Sequence, residues 1–140
     1  MMRDLSLLVP ARNELFLSYT IDDALRNIEA DTEVIVTLDG QWPSEPLQQR
    51  DRLNVIYVNK AIGQRAATNL ACKLSKARYV AKCDAHCSFD KGFDRKMLEG
   101  FERIGGDGDV TMVPIMRNLH AFDWKCWKTG CGWRMYQGPT

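Results

Sequence analysis

Short apolar runs that stop at polar or glycine-containing turns, most with a helix-period segment between them, constrain this fold more than any other feature. Leu5, Leu7, Leu8 and Val9 form the first run and Pro10 closes it, the pattern of a buried strand. Ala11-Arg12-Asn13-Glu14 is a polar turn. After it Leu17, Ile21, Leu25 and Ile28 fall at spacings of four, four and three, one face of a helix. Glu33–Leu38 is the clearest strand, β-branched in its middle and closed by Asp39-Gly40. Residues 41–52, with two prolines, read as a loop, and Val55–Val58 as a third strand. Gly63 opens a second helix with Ala67, Leu70, Ala71 and Leu74 inward. Tyr79–Cys83 is a fourth strand cut off by Asp84-Ala85-His86. Phe93, Met97, Leu98 and Phe101 predict a third helix stopped at Gly105-Gly106, and Val110–Ile115 a fifth strand. Strands alternating with helices predict an α/β fold, a mostly parallel sheet with helices on both faces.

Residues 117–140 break this alternation. Three of the four tryptophans (Trp124, Trp127, Trp133) lie there with Cys126, Cys131 and three glycines, and no period of 2 or 3.6 persists. The expected organisation is an α/β domain over residues 1–116 and an irregular tail over 117–140, its aromatics available for self-association.

Composition excludes several classes. Apolar residues at 45% and charged residues at 26% suffice for a core, which excludes disorder by composition. Nineteen basic against eighteen acidic residues, net +1, provide no clustered basic face for coating nucleic acid. No apolar stretch approaches the roughly 20 residues that span a bilayer, and residues 1–5 carry no signal-peptide core. Five cysteines, an odd number, point to reduced thiols and a cytoplasmic setting.

In a parallel sheet the ligand crevice lies outside the carboxyl ends of the strands. Arg12, Asn13 and Glu14 follow the first strand, Asp39 and Gly40 the second, Asp84 and His86 the fourth. Each alone is an ordinary turn or cap residue; together they converge on one rim. In an extended segment Asp84 and His86 point to the same side, so carboxylate and imidazole can meet one cation. That donor pair suits Mn²⁺ or a similar divalent ion bridging a diphosphate; the alternative is an Asp that caps a turn beside a packed His. A P-loop, a G-x-G-x-x-G turn after the first strand and a G-x-S-x-G elbow are all absent.

These residues resemble a known family. Leu7-Leu8-Val9-Pro10-Ala11-Arg12-Asn13-Glu14 resembles the opening strand and turn of the family-2 glycosyltransferases, and Glu33–Gly40 their second strand. Gly63-Gln64-Arg65-Ala66-Ala67-Thr68-Asn69-Leu70-Ala71 resembles the helix start that follows their third strand. Tyr79–Cys87 resembles their metal-binding strand end, in the D-x-H form of the polypeptide N-acetylgalactosaminyltransferases rather than the commoner D-x-D. The resemblance implies a GT-A fold, a nucleoside-diphosphate sugar donor (a UDP-sugar first) and Mn²⁺ or Mg²⁺ on its diphosphate. It assigns Asp84 and His86 to the metal, and Asp39 and Glu14 to the nucleoside. Pro10 and Ala11 pass close to the base, and Arg12, Arg65 and Asp84 complete the donor site. The family's paired Asp-Asp is Leu38-Asp39 here, which leaves one nucleoside contact missing. The expected chain is thus the donor half of a hexosyltransferase-like enzyme, incomplete at its C-terminus and inactive alone, its acceptor unknown and its catalytic base outside these residues.

Two other readings compete. A sugar-nucleotidyltransferase shares the topology, but Pro10–Glu14 lacks its glycine-rich turn. A non-catalytic zinc-ribbon or nucleotide-binding module is the other. Cys126 and Cys131, with four residues between them, fit one knuckle of a Zn²⁺ site whose remaining ligands would be His120 or a further cysteine pair. Two free thiols fit the same spacing.

Overall fold

The computed structural model describes residues 2–105 and 110–114. Seven elements follow in chain order: β1 (Leu5–Ala11), α1 (Leu17–Asn27), β2 (Thr32–Asp39), β3 (Leu53–Val58), α2 (Gln64–Leu74), β4 (Tyr79–Lys82) and α3 (Phe93–Arg103). The strands form one parallel sheet in the order β3-β2-β1-β4. The described residues divide into two units, one ending at Lys96 and the other beginning at Met97.

The apolar runs lie where parallel strands need them. Every residue of β1 and β2 is buried, because these two central strands are covered on both faces. Leu7, Val9, Val34, Val36 and Leu38 pack on one face against Leu17, Ile21 and Ala24 of α1, with Ala85 and the partly buried Phe89 and Phe93 closing the cluster. Leu8 and Ile35 point to the other face and meet Ala71 of α2, with Ile56 alongside. Burying a side chain such as Leu8 or Leu38 contributes on the order of 2 kcal/mol. The edge strands are only half covered: Val55 and Tyr57 of β3 and Val80 of β4 remain exposed.

Polar side chains in the sheet are paired. Ser6 donates to Glu33 (2.7 Å), Asn54 donates to the other Glu33 oxygen (2.9 Å), and Ser75 donates to Ser6 (2.7 Å). Among the described residues no buried side-chain nitrogen or oxygen lacks a partner.

Three expectations change. Leu74, expected on the inward face of α2, is exposed at the end of that helix. Pro10 does not end β1, which runs on to Ala11. Along a parallel strand alternate residues turn their N–H and C=O groups to opposite neighbours. Cys83 N–H donates to Leu8 O, so Leu8 and Pro10 face β4, and β4 pairing stops at Leu8 opposite Lys82. The missing proline N–H therefore costs no ladder bond. The split between the two strands beyond this point opens a crevice. The expected strand at Val110–Ile115 is not formed over its described part, residues 110–114. Val113 is exposed and Pro114 has no donor, so alternation of apolar residues there lacks a ladder to join.

Candidate functional site

The end of β1 delivers Pro10 and Ala11, both buried, and then an exposed turn at Arg12 and Asn13. Asn13 has φ 58, a left-handed conformation that asparagine tolerates better than most residues. Glu14 follows, half-buried.

The end of β2 delivers Asp39, only 2% exposed. One carboxylate oxygen accepts from Ile62 N–H (2.7 Å) and the other from Gly63 N–H (2.9 Å). Gly63 is the residue before α2 and supplies no side-chain cap, so Asp39 caps the helix from a neighbouring strand. The turn is tight. Gly40 has φ +80, and a Cβ there would lie 2.7 Å from Ala61 N. Asp39 and Gly40 together bring the start of α2, with its partial positive charge, to the rim.

β4 ends at Lys82 and delivers Asp84, then a turn at Ala85 and His86 in place of the extended segment expected there. Asp84 Oδ1 is paired with Lys82 Nζ and accepts from Gln64 Nε2 (3.1 Å). Asp84 Oδ2 faces His86 Nε2 at 3.6 Å, and the other ring nitrogen of His86 faces Glu14 Oε2 at 3.4 Å. The Lys82 ammonium, first, and then His86 and Gln64 hold the Asp84 carboxyl below its ordinary range against an opposing effect of burial. Next to this cluster the Cys83 thiol donates to Cys87. The contact, and then burial, push the Cys83 thiol well up, while the same contact brings Cys87 down to about 7 against an opposing effect of burial. Both are free thiols, as is Cys72.

These strand ends line one crevice of about 310 Å³. Pro10, Ala11, Arg12, Glu14, Asp39, Asp84 and His86 all border it. Arg65 does not: it is exposed one position further along α2, and Gln64 borders the crevice instead. Gln64 and Lys82 are the functional candidates that strand-end reasoning misses. Lys82 was within reach of that reasoning, being two residues before Asp84 in an extended segment. A smaller depression of about 130 Å³ between α1 and residues 45–50 holds the Asp22–Arg50 ion pair (2.7 Å) and gathers no comparable chemistry. Cys126, Cys131 and the three tail tryptophans lie outside the described residues.

A search of curated proteins finds no match to the chain. Two crystal structures of S. aureus TarS share the fold. One, of residues 1–349, superposes with TM-score 0.60 at 16% identity, covering 82% of this chain and 40% of that one. The other gives TM-score 0.61 at 17% identity, covering 82% of this chain and 24% of that one. The chain therefore spans less than half the length of either. No helix among the described residues is long and apolar enough to cross a membrane. The pattern of glycosyl transferase family 2 matches residues 6–132, nearly the whole of the α/β architecture and its rim. With its parallel sheet, its flanking helices and this match, the chain belongs to glycosyl transferase family 2 and has a GT-A fold.

Proposed function

We propose that this chain forms the donor site of a metal-dependent glycosyltransferase, transferring a sugar from a nucleoside-diphosphate sugar to an acceptor hydroxyl. The observation that carries the reading is the single crevice in which the turn after β1, the Asp39-capped start of α2 and the Asp84–His86 pair meet.

The side chains suit a divalent cation. Asp84 Oδ2 and His86 Nε2, 3.6 Å apart, are near the roughly 3 Å that separates adjacent donors of one octahedral ion. Glu14 lies against the far ring nitrogen of His86, the second partner that orients a metal-binding imidazole. Among the described residues no third His, Cys, Asp or Glu completes a cluster. Such a two-donor site suits Mn²⁺ or Mg²⁺, which take their remaining ligands from diphosphate oxygens and water. When bound, the cation supplies charge stabilisation to the departing diphosphate.

The chain's own groups do the rest. Arg12 and the N-terminal end of α2 offer positive charge to the phosphates. Asp39 acts through the backbone, fixing Ile62 and Gly63 where the nucleoside passes. Pro10 and Ala11 offer an apolar strand end to the base. A UDP-sugar is the donor proposed first, on the D-x-H resemblance. Three free thiols among the described residues support a reducing, cytoplasmic setting.

A thermal-shift screen of UDP, GDP, CDP and dTDP, each with and without Mn²⁺, tests the proposal. At least one diphosphate raises the melting temperature with Mn²⁺. No shift with any of the four contradicts it.

A further inference from the structure

We propose that Lys82 makes divalent-metal binding at Asp84 conditional on the arrival of a nucleoside diphosphate. This rests on the donor-site reading and adds a residue and a coupling to it.

The argument starts from the strand. Lys82 is the last residue of β4 and pairs in register with Leu8, so its side chain rises on the α2 side of the sheet. There its ammonium meets Asp84 Oδ1, beside Gln64 Nε2. Among the described residues Asp84 is the only carboxylate in an ion pair with Lys82. The oxygen that remains, Oδ2, is the one facing His86. A cation entering between Asp84 and His86 thus meets a carboxylate whose charge is already offset, and a like charge close behind it. Glu14 is turned toward the far side of the imidazole and Asp39 is spent on two backbone amides, so neither replaces the missing negative charge.

A diphosphate reverses the balance. It brings two or more negative charges into the crevice, and lysine carries a compact charge on a flexible stem that can follow them. With Lys82 on a phosphate oxygen, Asp84 is released to the metal. Each ligand then strengthens the other, and linkage requires the factor to be equal in both directions. Lys82 is a positioning residue for the metal and a binding residue for the diphosphate.

The test is a titration of free Mn²⁺ by electron paramagnetic resonance, with and without UDP, on the wild type, Lys82→Met, Lys82→Arg and Asp84→Ala. The Lys82 side chain is 39% exposed, so these substitutions leave the core alone. In the wild type Mn²⁺ binds weakly alone and at least about tenfold tighter with UDP, a modest effect for one charge a few ångströms away. Lys82→Met binds Mn²⁺ alone about tenfold tighter than the wild type and keeps only the smaller gain from UDP that phosphate ligation of the ion supplies by itself; Lys82→Arg restores the full coupling. Wild-type coupling with unchanged or weaker Mn²⁺ binding in Lys82→Met overturns the assignment of Lys82 and leaves the donor site standing. Absence of coupling in the wild type, with Asp84→Ala indistinguishable from it, overturns the donor-site reading itself.

Discussion

Asp94 is fully buried, and four donors converge on its carboxylate: the amides of Glu29, Ala30 and Arg95, and the Thr32 hydroxyl at 2.7 Å. It ties the first turn of α3 to the link between α1 and β2. Burial pushes its carboxyl up, but Thr32 and the amides outweigh burial and hold it below the ordinary value. A folded-state value below the unfolded one, about 3.9, means stability present above that pH and lost as pH falls through the folded value. Asp94→Asn is therefore expected to lower stability by about 2–3 kcal/mol near neutral pH. In denaturant melts the gap from the wild type narrows below about pH 4; a gap independent of pH contradicts this. Asp39→Asn replaces one acceptor with a donor facing a backbone amide, so it costs about 1–3 kcal/mol and also weakens diphosphate binding. Calorimetry and thermal melting read the two effects separately. Neither role was legible in the sequence. Asp94 carries no role there and Asp39 reads as a rim residue, because their partners are set by chain folding over more than twenty positions.

The elements carry their own tests and their own lesson. The turn after β2 exists because Gly40 adopts φ +80 with Ala61 against it. Gly40→Ala adds both backbone strain and a clash with a main-chain nitrogen, and is expected to cost about 1–3 kcal/mol. A melting temperature equal to the wild type's contradicts the tight approach. Strands β1 to β4 and all three helices were readable from periodicity, most plainly β1, β2, α1 and α2, whose apolar residues pack together on the two faces of the sheet. Pro10 and Val110–Ile115 show where that reading stops. Whether a proline ends a strand depends on which neighbour its nitrogen faces, and whether an apolar run becomes a strand depends on an available ladder. Both are properties of pairing, which a local pattern does not contain.

At the scale of the molecule, the order β3-β2-β1-β4 is what makes scattered polar residues into a site. Parallel strands put all their carboxyl ends on one side, so Glu14, Asp39 and Asp84, far apart in sequence, border one crevice. That convergence was legible from the strand ends. The displacement of Arg65 by Gln64 was not, because it depends on how α2 is turned by its Asp39 cap. The central claim is that this rim binds a nucleoside diphosphate through a cation held at Asp84. Calorimetric titration of the best diphosphate from the screen, in Mn²⁺ and in EDTA, on wild type and Asp84→Ala, tests it most directly. Mn²⁺ is expected to strengthen wild-type binding by at least about tenfold, roughly 1.4 kcal/mol, with no such gain in Asp84→Ala. Equal wild-type affinity in Mn²⁺ and EDTA, or a gain that survives in Asp84→Ala, would contradict the account.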